Sequence, residues 1–190
     1  MQVKQIKYDM KKILFNSLVF VLAICTVSCE NGPETSTLLS YISNPRLSSE
    51  TRIFDNANLI KDKKSLDAHL KTLYNFADID MVVVTVTDLQ GNDIDDIANK
   101  LLISWKIGEN TKGRKGILFL LSVEEELVRF EIGYDLEWIY PDSFAGYIEK
   151  DQMAPFFESG RVQTGITATL EMIIARANEE IKGGLFYPDE

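Results

Sequence analysis

Two stretches decide the fold: Met81-Val82-Val83-Val84-Thr85-Val86-Thr87 and Gly116-Ile117-Leu118-Phe119-Leu120-Leu121-Ser122-Val123. Neither alternates apolar with polar residues, so each reads as a strand covered on both faces, and β-branched side chains dominate the first. Between them Ile94, Ile97, Ala98, Leu101, Leu102 and Trp105 share one stripe of a helix, which Gly108 ends. Strand, helix and strand make a βαβ unit with parallel strands and an expected right-handed crossover.

Downstream, Glu124-Glu125-Glu126 forms a short charged turn. Leu127 to Gly133 then alternates, with Val128, Phe130 and Ile132 on one face and Arg129 and Glu131 on the other. After so short a connection this predicts an antiparallel hairpin strand near the sheet edge. Pro141 and a capping Asp142 predict a helix over Ser143 to Lys150. A last helix, from about Arg161 to Lys182, aligns Val162, Ile166, Leu170, Ile173, Ile174, Ala177 and Ile181 before Gly183-Gly184 stops it. Upstream, Ile53-Phe54-Asp55 reads as a short strand. Leu66, Leu70, Leu73 and Ala77 then line one face of a helix from about Asp62 to Ala77. The sum is an α/β fold, a mixed sheet of about four strands between helical layers. A chain of 190 residues with 45% hydrophobic content fits one such domain.

The amino terminus has a different logic. Lys4, Lys7, Lys11 and Lys12 precede the apolar stretch Ile13 to Cys25, and Thr26-Val27-Ser28-Cys29 follows it. This is the layout of a signal peptide over residues 1–28. The apolar stretch is shorter than the roughly 20 residues of a membrane-spanning helix, and Asn16 and Ser17 interrupt it. Ser28-Cys29 resembles the lipobox of bacterial lipoproteins, in which cleavage before the cysteine is coupled to diacylglyceryl transfer onto its sulfur. Thr26 stands where leucine is usual, so cleavage at an ordinary site and an uncleaved anchor stay open. Residues 29–51, rich in Ser, Thr, Asn and Pro, read as a tether.

Composition excludes several chemistries. The formal charge is −9, and the lysine-rich leader hides an even more acidic remainder, which repels nucleic acid. No glycine-rich phosphate loop is present: Gly108 to Gly116 lacks the order and setting of one, which rejects a nucleotide site. On the lipoprotein reading Cys25 would leave with the signal and Cys29 would be acylated, so neither a disulfide nor a thiolate site would remain. His69 is the sole histidine, on a helix flank without an accompanying acid or nucleophile. Carboxylates remain, and their oxygens suit hard cations such as Ca²⁺ and Mg²⁺. Asp55 closes the first strand, Asp135 and Glu137 follow the hairpin strand, and Asp142 opens a helix. An antiparallel hairpin strand brings Asp135, Glu137 and Asp142 to the edge where the central strands begin, while Asp88 leaves from the other edge. The competing reading makes these acids solvated loop residues.

These segments together resemble the TPM domain, a family named for thylakoid lumen, photosystem-associated and receptor-modulating proteins and common in bacterial envelopes. The likeness covers about Arg52 to Lys182. Its carriers are Ile53-Phe54-Asp55-Asn56-Ala57, Trp105-Lys106-Ile107-Gly108, Gly116 to Leu121, Val128 to Glu137, Pro141-Asp142, and Met153-Ala154-Pro155-Phe156-Phe157. The resemblance implies a Rossmann-like α/β/α sandwich over residues 52–182, followed by a tail at 183–190, in an envelope or lumenal location. Some members are credited with acid phosphatase activity, some with Ca²⁺ or Mg²⁺ binding, and others with assembly or repair of membrane complexes. Asp55 and Asp142 match acidic positions of the family pattern, which marks them as metal-ligand candidates. Asp135 stands where glycine is common and joins them by location.

One departure bears on activity. Many members carry Asp-Asn-Gly before the second central strand, where this chain has Arg114-Lys115-Gly116, and two cations there repel a divalent ion. The expectation is therefore a lipid-tethered, non-catalytic module that binds an envelope or membrane protein, with a structural cation as an addition. A metal-dependent acid phosphatase is the alternative. The anchor has a direct check: the membrane-extracted protein is expected to carry a diacylglyceryl mass on Cys29, and its absence overturns the lipoprotein reading.

Overall fold

The computed structural model describes residues 35–48 and 50–183. The expected signal peptide, Cys29 and the tail beyond Gly183 lie outside the described residues. Helices α1 (Thr35–Tyr41) and α2 (Pro45–Ser48) lead into β1 (Ile53–Asp55), α3 (Lys63–Ala77) and β2 (Asp80–Val86). Then come α4 (Ile94–Ser104), β3 (Gly116–Ser122), β4 (Leu127–Ile132) and a 3₁₀ turn at Tyr134–Leu136. Helix α5 (Asp142–Tyr147), a π turn at Ile148–Gln152, α6 (Ala154–Glu158) and α7 (Val162–Gly183) complete the chain.

The sheet is mixed and has the order β1-β2-β3-β4. The first three strands are parallel and β4 is antiparallel, with Phe119 opposite Phe130. Every residue of β2 and β3 is buried, as their unbroken apolar character requires. Successive side chains point to opposite faces. Met81, Val83, Ile117, Phe119 and Leu121 therefore share a core with Leu66, Leu70 and Leu73 of α3 and Ile166, Leu170 and Ile173 of α7. Val82, Val84, Val86, Leu118 and Leu120 share the other core with Ile97, Ala98 and Leu101 of α4. Asp62 caps α3 by accepting the Ser65 N–H at 2.9 Å, and Asp93 caps α4 through the N–H groups of Asp95 and Asp96.

The helix placement limits the crossovers. Going from β1 to β2 to β3, the chain steps in one direction across the sheet, yet α3 and α4 pack on opposite faces. Two crossovers related in this way have opposite hands. Right-handedness, expected for the β2–α4–β3 unit, therefore cannot hold for both units, and one of them adopts the rare hand.

Two local expectations are corrected. Residues 29–51 do not form a tether throughout: the compact unit begins at Thr35, and Leu38 and Ile42 are 2% and 3% exposed beside Val82, Val84 and Ile97. The reason is that α4 alone leaves part of this sheet face uncovered, and α1 closes it. Arg46 fixes the segment further, binding the buried carboxylate of Asp80 and the carbonyl of Trp105. The Asp80 carboxylate also accepts the Gly108 N–H at 3.1 Å. The expected Asp142 cap is not formed either. Pro141 occupies the cap position and Asp142 is the first helical residue, so its carboxylate has no cap bond to make.

A buried helix and a tether predict different energetics. Leu38→Ala is expected to lower unfolding stability by about 3 kcal/mol in denaturant titration. A tether residue would cost less than about 0.5 kcal/mol.

Candidate functional site

The site grows from β4, the edge strand. Its continuation keeps pairing for one more residue, Gly133 N–H donating to Gly116 O at 2.7 Å, so the chain leaves the sheet where β2 and β3 begin. Backbones crowd together there. A Cβ on Gly133 would overlap the Arg114 carbonyl, and one on Gly116 would overlap that of Ile107. Phe119, Phe130 and Tyr140 stack edge to face at 6.1 Å, and the buried Tyr140 hydroxyl donates to Ile173 O at 2.8 Å. Burial pushes that phenol pKa up, so it remains a donor and pins the 137–142 segment against α7.

Between this segment, β4 and α5 lies a cleft of about 490 Å³ lined by Arg129, Glu131, Glu137, Asp142, Glu149 and Lys150, among others. A second cavity of about 760 Å³ shares Glu131, Ile132 and Glu137 with it and reaches Ile103, Arg114 and Tyr134. Arg129 organises the acids. Its guanidinium contacts Glu131 at 2.7 Å, Glu149 at 3.4 Å and Asp95 at 3.5 Å. Burial alone would lower the arginine pKa, but these three carboxylates outweigh it and hold the charge more firmly than usual. Glu149 has a further task, accepting the Phe130 N–H at 3.0 Å on the open edge of the sheet.

The three acids chosen from sequence fare differently. Asp55 lies at the carboxyl end of β1, level with Thr85 and Leu121, whereas Asp135 follows β4 at the opposite end of the sheet. About 20 Å of strand separates those ends. Asp55 therefore does not join Asp135. Its carboxylate is fully shielded and accepts from Thr85 Oγ1 at 2.6 Å, Leu59 N–H at 2.9 Å and Ile60 N–H at 3.2 Å, with Lys63 Nζ at 3.0 Å. Burial would raise its pKa, but these donors outweigh burial and hold it below the ordinary aspartate value. Asp55 fastens the 56–60 turn, and the Lys63 ammonium already stands where a cation would.

Asp135 also holds backbone. It accepts the Arg114 N–H at 2.9 Å, and a Cβ on Gly113 would strike its carboxylate, so it clamps the 113–114 loop. Asp142 lines the cleft with Glu137, and neither carboxylate is paired among the described residues. No group of three or more His, Cys, Asp or Glu is placed to hold a metal ion among the described residues. Two acids are too few for the six or more oxygens of Ca²⁺ or the octahedron of Mg²⁺ without outside ligands. His69 sits exposed on α3 with Nδ1 2.8 Å from Ser65 O, a local contact within the helix.

Sequence reasoning passed over Arg129, Glu149, Tyr134 and Trp138. Arg129 and Glu131 were assigned a common face, but their link to Glu149 joins residues 20 apart in sequence. Tyr134 and Trp138 are 76% and 61% exposed, although Leu136 between them is fully buried. With Lys115, Asp135 and Glu137 they frame an open pocket. The only signal for them was an aromatic residue on each side of a buried leucine.

A family model described as TPM domain matches residues 53–176, well over half of the chain. The chain belongs to the TPM domain family. Among solved structures, this TPM domain is similar to the N-terminal domain of a protein from P. gingivalis, solved by NMR. That likeness has 25% identity and a TM-score of 0.69, over 75% of this chain and 92% of that one. A second likeness, of fold alone, is to the BA42 protein of the psychrophilic bacterium Bizionia argentinensis. It has 15% identity and a TM-score of 0.50, over 63% of this chain and 82% of that one. No curated protein matches the chain.

The lowered pKa of Asp55 carries a signed prediction. Its stabilisation is complete above the ordinary aspartate pKa, near pH 4, and is lost as pH falls through the lower folded value. Asp55→Asn is expected to cost about 2 kcal/mol at pH 7, the range for hydrogen bonds to a charged group. That difference should shrink steadily below pH 4 in acid-titrated unfolding curves.

Proposed function

We propose that this TPM domain is an exported lipoprotein of the bacterial cell envelope, held by acylated Cys29, that binds an envelope or membrane protein without catalysing a reaction. The observation that carries the reading is the pair Tyr134 and Trp138, exposed on a short turn that buried Leu136 and Tyr140 hold fixed. Exposed aromatics on a rigid support are the common anchors of protein interfaces, because they cover much area at little entropic cost. Arg114 and Lys115 lie beside them with Glu137, giving the surface both signs of charge. Asp135 holds the Arg114 backbone, but among the described residues no carboxylate pairs with the Arg114 guanidinium.

The alternative, a metal-dependent acid phosphatase using Asp55 and Asp142 on one ion, finds less support. Asp55 is taken up by four donors at the carboxyl end of β1, while Asp142 lines the cleft beside β4, so the two do not serve one ion. A structural Ca²⁺ or Mg²⁺ would have to rest on Asp142 and Glu137 and borrow its remaining oxygens from the partner.

A photo-crosslinking residue at Tyr134, in the full chain in native membranes, is expected to give one reproducible adduct. Trp138→Ala, which leaves the fold intact, should reduce it at least tenfold, as loss of an interfacial anchor does. Absence of any adduct, combined with Ca²⁺- or Mg²⁺-dependent phosphate ester hydrolysis that Asp142→Asn abolishes, overturns the reading in favour of the phosphatase.

A further inference from the structure

Where α1 meets the carboxyl-terminal end of α4, the outer surface carries an apolar patch among polar neighbours. Leu38, Ile42, Ile97 and Leu101 fill the core between the two helices and the sheet. On the outer side Leu39, Leu101, Ile103 and Trp105 surround a shallow dish of about 590 Å³, with Lys100 at its rim. Ile103 is 66% exposed. Leu47, 85% exposed, stands next to Arg46, which binds the Trp105 carbonyl. Leu101 forms the buried floor of the dish and Leu39 and Trp105 pack partly against the core, while Ile103 and Leu47 have no such packing and project outward; exposed apolar side chains around an apolar dish mark something that covers it.

The chain's own connectivity identifies the cover. Helix α1 starts at Thr35, six residues after Cys29. Six extended residues reach at most about 20 Å, and Leu39 lies one helical turn beyond, about 6 Å more. If Cys29 carries lipid, Leu39 and the dish cannot leave the neighbourhood of the bilayer surface. We propose that this dish docks on that bilayer: Leu39, Leu47 and Ile103 enter the boundary of the acyl chains, Trp105 lies at headgroup level, and Lys100 faces the phosphates. The inference rests on the lipoprotein reading and adds an orientation to it. Trp and Lys are the residues that favour a membrane interface, and leucine and isoleucine favour the layer beneath. With a net charge of −9 and, among the described residues, Lys100 the one cation lining the dish, attraction to anionic lipid contributes little and the contact is chiefly apolar. It need not be strong, because the anchor supplies a high effective concentration.

The test uses the full acylated protein in phosphatidylcholine vesicles. Of the two tryptophans, Trp138 is replaced by Phe, which leaves Trp105 as the sole emitter. Trp105 emission is expected to shift to the blue and to be quenched when the lipid carries brominated acyl chains. Ile103→Asp, at an exposed position, should remove most of that quenching without loss of folding. An acyl mass on Cys29 with unquenched Trp105 overturns the docking face and leaves the anchor reading intact. Quenching without an acyl mass supports the face and overturns the anchor. Absence of both overturns the two together. A dimer in sedimentation that Ile103→Asp dissolves, with no quenching, assigns the face to a second copy and overturns the proposal.

Discussion

Burial of β2 and β3 on both faces is the constraint on which the structure depends. Two runs of seven strand positions, Asp80–Val86 and Gly116–Ser122, are buried throughout. Each face therefore needs its own helical layer. Helices α3 and α7 supply one. On the other, α4 is too short to finish the task, and α1 from the amino-terminal extension completes it. The opposite hands of the two crossovers follow from the same demand, since consecutive helices have to serve different faces.

The second consequence concerns the ends of the strands. Where β2 and β3 begin, the glycine-lined approach of residues 107–108, 114–116 and 133 lets β4 turn off the sheet directly into the 134–142 segment. That turn sets Tyr134 and Trp138 facing outward and Glu137 and Asp142 into the cleft. Arg129 then gathers Glu131, Glu149 and Asp95 around one guanidinium, which spends much of the cleft's negative charge internally. The opposite end, with Asp55 closed by Thr85, Lys63 and two amides, is structural support.

How much was legible follows from how local each signal is. The two unbroken apolar runs and the alternation of Leu127–Gly133 carry their meaning within seven or eight residues, and the two central strands and the edge place of β4 could be read from them. The fate of an acid depends on donors elsewhere. Asp55 is taken by Thr85, thirty residues on, and Asp135 by the backbone of Arg114, twenty-one residues back; periodicity holds no trace of either. Leu38 and Ile42 failed to announce a helix for a related reason. In a stretch this short, with Ser, Thr and Asn between Leu38, Leu39, Tyr41 and Ile42, local preference is weak, and only an unfinished sheet face gives Leu38 and Ile42 a place.

Glu149 and the π turn that carries it give the sheet a further property. A bare strand edge is a template onto which other chains add. Here one edge strand, β1, is only three residues long, and the other has the Phe130 amide stoppered by a carboxylate. Copies crowded together on a surface would therefore meet a very short edge on one side and a blocked amide on the other, and the side chain that blocks it also belongs to the cleft.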